Sequence, residues 1–195
     1  MDLQKWCGQG DVRYYLNQPF NFEGRTIATN GHLMIAIPKV GKYEEIYDGL
    51  IGKISELLKP NNFTFSAFDY DLKMPEKTAC TFCKGTTKVT IENCQECDGD
   101  GEVEAETDFN TYVCDCKSCD GDGHTSIAGK GLDCHQCDAG SVYDDSASVK
   151  VCGVNINPNY YKLLSTIDGL AVHGSGYLLH FQAGETKGVI MGKNI

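Results

Sequence analysis

Apolar residues in this chain fall into two outer regions, and the segment between them has almost none of the aliphatic residues that build a core. Strict alternation of apolar and polar positions predicts strands at 20–22, 25–29, 32–37, 62–70, 149–155, 177–182 and 188–191. Two stretches follow the helical period instead. From Tyr43 to Lys59, the residues Ile46, Leu50, Ile54, Leu57 and Leu58 share one face, and Pro60 stops the run. The second opens with Asn157-Pro158, a capping residue followed by proline at the first helical position. Tyr161, Leu164 and Ile167 then recur about one turn apart, and Gly169 ends the pattern.

The central segment has a different texture. TTKVTIEN (86–93) and EVEAETDFNTYVC (102–114) alternate like short hairpin strands, and Gly-Asp and Asp-Gly steps supply their turns. The pattern therefore predicts an α+β fold, a single domain of residues 1–77 plus 142–195 interrupted by a β-hairpin-rich insertion at 78–141. Asn30-Gly31 between two strands is a ready type I′ turn former, with His32 beside it as a turn residue.

The insertion carries the chemistry. Four Cys-x-x-Cys pairs occur at Cys80/Cys83 (CTFCKG), Cys94/Cys97 (CQECDGDG), Cys116/Cys119 (CKSCDGDG) and Cys134/Cys137 (CHQCDAG). Such a turn sets two sulfurs about 4 Å apart, one edge of a tetrahedron whose Zn–S bonds are about 2.3 Å. The trailing glycines let the backbone turn back so that its N–H groups face sulfur. Eight thiolates hold two zinc ions in closed, all-sulfur sites, and zinc supplies on the order of 10–16 kcal/mol to a small module with little core of its own. A disulfide framework is the competing reading. Against it stand the odd total of 11 cysteines and an N-terminus, MDLQKWCGQG, without a basic start or apolar stretch. A reducing, cytoplasmic setting and no secretion are expected. Cys7, Cys114 and Cys152 fall outside the pairs. Cys114, two residues before Cys116, competes as a ligand, whereas His124 and His135 are expected near the sites but not on the metal.

The pairs start at 80, 94, 116 and 134, so the central step is the longest. This closely resembles the cysteine-rich region of DnaJ-type co-chaperones. The resemblance implies that Cys80, Cys83, Cys134 and Cys137 form one site, and Cys94, Cys97, Cys116 and Cys119 the other. The first repeat, CKGTT, lacks the second glycine, and in the fourth, CDAGS, a single glycine is displaced by one position. A second resemblance, to bacterial β-type sliding clamps, lies in RYYLNQPFNFEGRTIATNGHLMIAIP (13–38) and in VNINPNYYKLLSTIDG and GYLLHFQAGETKGVIMG (154–192). Arg13, Leu16, Ala28, Thr29, Gly31, His32 and Ala36 carry the first part. Asn157, Tyr160 or Tyr161, Leu164, Leu178 and Met191 carry the second. It implies one clamp-like domain of two βαβββ-like halves. Asn30, Leu33 and Gly192 depart from the pattern, and there is room for one such domain where bacterial clamps have three.

Charge narrows the function. Between Cys80 and Gly140 there are 13 Asp/Glu against 4 Lys/Arg, a balance of −9, while the rest of the chain stands near neutrality at −1. Eight thiolates with two Zn²⁺ add −4. A surface this negative repels phosphate backbones, so the insertion is excluded as a DNA reader. DNA contact is expected only on the flanking domain, around Lys53, Lys59 and Lys162, with Lys42 nearby. No run approaches the ~20 apolar residues of a membrane span. There is no phosphate loop, His-Glu-x-x-His or nucleophile elbow, and His32, His173 and His180 lack a local catalytic partner. Four sulfurs per zinc leave no position for water. A non-enzymatic protein is expected, with no catalytic residues and protein partners that include a second copy of itself as a homo-oligomer. The clamp resemblance implies a setting in DNA replication or its interference, through a self-assembled ring or clamp mimicry, as suits a bacteriophage protein in its host's cytoplasm. The DnaJ-type resemblance implies instead chaperone-like binding of client peptides. No proline follows a histidine, so the J-domain His-Pro-Asp signature is missing.

Overall fold

A computed structural model describes residues 1–46, Ile54, Glu56, 62–134 and 136–193. The chain divides into two compact units, Met1–Pro75 with Asp145–Ile195, and Glu76–Asp144. The seam lies outside the expected 78–141 limits. The strands where the chain enters and leaves the second unit, β5 (Lys77–Ala79) and β11 (Ser141–Tyr143), pair with each other and belong to it.

The first unit opens with 3₁₀ turns at Leu3–Trp6 and Tyr14–Leu16. Its strands are β1 (Phe20–Phe22), β2 (Arg25–Thr29), β3 (Leu33–Pro38), β4 (Ser66–Ala67), β12 (Val149–Val151), β13 (Val154–Ile156), β14 (Ala171–Ser175), β15 (Leu178–Ala183) and β16 (Thr186–Met191). Seven of them form one antiparallel sheet in the order β1-β2-β3-β16-β15-β14-β4. Two three-stranded meanders, one from each end of the sequence, thus join along β3 and β16, where Met34 faces Val189 and Ile35 faces Gly188.

Both faces of this sheet are covered, which explains the unbroken apolar run LMIAI in β3. Ala28, Ile35, Leu179, Phe181 and Ile190 lie on one face with Trp6 and with Tyr161 and Leu164 of the helix α1 (Pro158–Leu164). Phe20, Ile27, Met34, Ala36 and Val189 lie on the other. The Phe181 ring lies over Gly188, its cross-strand partner, where a β-carbon would come within 2.1 Å of Cζ. α1 starts as its sequence dictates: the Asn157 side chain accepts the Asn159 N–H at 2.9 Å, and Pro158 takes the first helical position. Tyr161 ties the loop before the insertion to the helix, donating its hydroxyl to the Asp69 carbonyl and accepting the Leu72 N–H.

The α+β expectation does not hold, nor does the clamp-like domain of two βαβββ-like halves built on it. Among the described residues strand accounts for 39% and helix for 9%, so the fold is mostly β around one large antiparallel sheet. The helical period at 157–169 yields only the seven residues of α1, and Ile167 and Leu170 are buried in the turns that follow. Of the Tyr43–Lys59 helix, Ile54 and Glu56 are helical, and 47–53, 55 and 57–59 lie outside the described residues. Its expected start is not helical: Glu45 bridges Asn21 beside β1, and the Ile46 N–H donates to the Asn21 carbonyl. The strand expected at 149–155 is a hairpin, because Cys152 and Gly153 both take positive φ, 45° and 84°. At Asn30-Gly31 only Gly31 is left-handed. The Asn30 side chain accepts the His32 and Leu33 N–H groups, an Asx turn in place of type I′.

The second unit has little apolar core. It contains the three-stranded sheet β10-β6-β9 (Leu132–Asp133, Lys88–Asn93, His124–Ala128), the hairpin β7–β8 (Glu102–Glu106, Thr111–Asp115) and the β5–β11 clasp. Its buried residues are mostly cysteines, with Val89 among those of the outer knuckles.

Candidate metal centres

Each Cys-x-x-Cys knuckle closes a strand or opens the next, and the hairpins bring the knuckles together in nested pairs. The sulfurs of Cys80, Cys83, Cys134 and Cys137 all lie within 4.8 Å of one another, as do those of Cys94, Cys97, Cys116 and Cys119. Across the knuckles, Sγ separations are 4.0 Å for Cys80–Cys134, 3.6 Å for Cys83–Cys137, and 3.8 Å for both Cys94–Cys116 and Cys97–Cys119. A tetrahedron with Zn–S bonds of about 2.3 Å has edges of about 3.8 Å. A disulfide needs about 2.0 Å. The two groups therefore fit two zinc ions per chain, each in an all-sulfur site, and the nesting is first pair with fourth, second with third.

Backbone hydrogen bonds bolt each knuckle to its partner. In the inner site the Cys94 N–H donates to the Gly123 carbonyl, and the Cys116 N–H donates to the Gly101 carbonyl, both at 2.8 Å. The Gly101 and Gly123 N–H groups donate to the sulfurs of Cys97 and Cys119 at 3.2 and 3.3 Å. These glycines serve two ends. Their φ values of 80° and 72° favour glycine, and each chain passes the other too closely for a side chain.

The outer site reaches the same arrangement with poorer residues. The Cys134 N–H donates to the carbonyl of Thr87, which stands where the inner knuckle has Gly101 and holds φ 67°. The Cys80 N–H donates to the Gly140 carbonyl, so the displaced glycine of the fourth repeat does the work of Gly123 one residue earlier. The two departures in the sequence are thus accommodated by strain at Thr87 and by a shorter turn.

Without metal, the packed thiols do not share one acidity. Burial raises Cys83, but hydrogen bonds led by the Thr87 N–H bring it down to about 7. Backbone donors at Cys97 and Glu96 bring Cys94 to about 7. Burial pushes Cys116 and Cys137 up to about 12. Zinc takes thiolates, so its binding at neutral pH expels protons, those of Cys116 and Cys137 among them.

The other candidates fall elsewhere. Cys114 is exposed on β8, outside both sulfur groups. Cys152 is exposed, and Cys7 is half-buried with its thiol pushed up by burial. His124 turns away, donating through Nδ1 to the Asp122 carbonyl at 3.0 Å. His135, Lys53 and Lys59 lie outside the described residues, and Lys162 sits in the last turn of α1. His173 and His180, which lack a catalytic partner nearby in the sequence, face each other across β14 and β15, and Phe63 stacks on His173 at 4.4 Å. No strand pairing was legible there because β14 (AVHGS) has too few apolar residues to show alternation. A scan against known protein families finds no match, and a search of curated proteins finds no relative. No helix among the described residues is long and apolar enough to cross a membrane.

Proposed function

We propose that this chain is a non-enzymatic zinc protein whose second unit binds other polypeptides. The observation that carries this reading is the apolar surface left on a unit with almost no core. On the β10-β6-β9 sheet Leu132 is 72% exposed, and Ile91 and Ile127 are each about half exposed. They stand on an acidic background, since the segment balance is −9. Apolar side chains left exposed together on one small sheet mark an interaction surface. The acidic surround selects basic partners and disfavours nucleic acid. Each site spends all four sulfurs on structure, which supports a role in holding shape over one in catalysis.

The replication setting and the self-assembled ring depended on the clamp fold and fall with it. The client-peptide reading depends only on the zinc unit and is the one retained. It is tested with the zinc-loaded full chain and three labelled probes at one ionic strength. These are a lysine-flanked apolar peptide, its glutamate-flanked counterpart, and duplex DNA. The expected result is binding of the first alone. DNA binding that disappears on zinc removal would overturn the reading in favour of a nucleic-acid reader.

A further inference from the structure

β9 is an edge strand of the β10-β6-β9 sheet. Two hydrogen bonds fix the direction of its backbone groups. The Cys94 N–H donates to the Gly123 carbonyl at one end of the β6–β9 ladder, and the Gly129 N–H donates to the Lys88 carbonyl at the other. Antiparallel ladders alternate bonded and non-bonded pairs. Thr125 and Ile127 therefore turn their N–H and C=O groups towards β6, while His124, Ser126 and Ala128 turn theirs outward. Outward groups at every second residue form the template to which an extended chain adds as a further strand.

Specificity comes from the pocket beside this edge. Ser126 faces Ile91 across the ladder, and the pleat puts both on one side with His124. There, with Phe82 and Asp122, they line a pocket of about 440 Å³. Phe82 and Ile91 offer an apolar wall, and Ile91 remains half exposed on it. Asp122 brings a carboxylate to the same lining, within a segment whose balance is −9. A strand added to β9 places alternate side chains on the pocket side. We infer that β9 and this pocket bind an extended polypeptide segment as an added strand, with one apolar side chain in the pocket flanked by lysine or arginine. The inference rests on the protein-binding reading above and names its surface and ligand class.

The test measures anisotropy of a labelled peptide, a central leucine flanked by lysines, on the zinc-loaded full chain. Ser126→Pro removes an outward N–H without breaking a bond to β6, and Ile91→Asp places a charge in the pocket. Each is expected to weaken binding by roughly tenfold or more, the scale of a lost hydrogen bond or a spoiled apolar contact. Phe109→Ser and Tyr112→Ser, on the β7–β8 hairpin, are expected to bind as the parent does. Should either edge variant lose zinc, the unaltered chain is used with peptides N-methylated at successive positions, and affinity is expected to fall at alternate ones only. If the hairpin variants lose the peptide while Ser126→Pro keeps it, or if N-methylation shows no alternation, the edge is not the site and the protein-binding reading stands without it. If no peptide binds, both fall.

Discussion

A β-carbon at Gly101 would lie 2.3 Å from the Gly121 carbonyl oxygen, and one at Gly123 would lie 2.2 Å from that of Gly99. Both obstacles are backbone, and the left-handed conformation alone costs a side-chain-bearing residue about 1–2 kcal/mol. Gly101→Ala is therefore expected to weaken zinc at the inner site by at least roughly tenfold, read by competition with a chromophoric chelator, and to leave the outer site's affinity intact. Thr87 presents the reverse case, a β-branched residue already held at φ 67°. Thr87→Gly keeps the carbonyl that accepts the Cys134 N–H and removes the strain, so the outer site should gain about 1 kcal/mol. Unchanged affinity in that variant would show that the turn at Thr87 costs nothing. At this scale the sequence was most informative, because a Cys-x-x-Cys-x-Gly turn is dictated locally. The reciprocal N–H to carbonyl bonds between knuckles were not legible, since they join residues 15 to 60 apart through backbone atoms common to every residue.

Elements were legible where alternation was bounded by clear turns and lost where it was not. β1 and β2, with Glu23-Gly24 at positive φ between them, form at the residues their alternation marks, and α1 starts at its Asn-Pro signal. The run at 62–70 alternates well, yet only Ser66–Ala67 pairs with β14. Phe63 and Phe65 instead pack their rings against His173, a long-range contact that propensity cannot show. Alternation also could not show that the large sheet is buried on both faces, which is what makes Gly188 indispensable. A β-carbon there would lie 2.1 Å from Phe181 Cζ and 2.3 Å from the Met34 carbonyl oxygen. Gly188→Ala must displace either the ring or the β3–β16 pairing, and is expected to cost about 2 kcal/mol by urea unfolding. A loss within a few tenths would mean the ring has room to move.

For the molecule as a whole, the two units draw on different sources of stability. Among the described residues the first has 18 in its larger apolar cluster, whereas the second buries mainly seven of its eight sulfur ligands. Chelation should therefore unfold residues 76–144 and spare the rest. Trp6, the single tryptophan, is buried 5.8 Å from Phe181 in the first unit and reports on it alone. Its fluorescence is expected to hold steady as zinc is stripped, while amide exchange in 76–144 becomes fast. A matched loss of the tryptophan signal would show that the first unit depends on the metal. The nesting of the knuckles and the joining of the large sheet at β3–β16 together set a timetable for synthesis. As the chain emerges, the inner site is complete once Cys119 has appeared, and the outer one waits for Cys137. The N-terminal meander waits longest, because its partner strand ends at Met191. A nascent chain ending at Asp144 thus holds every zinc ligand while β3 is still an open edge, so metal capture comes first and closure of the host sheet last.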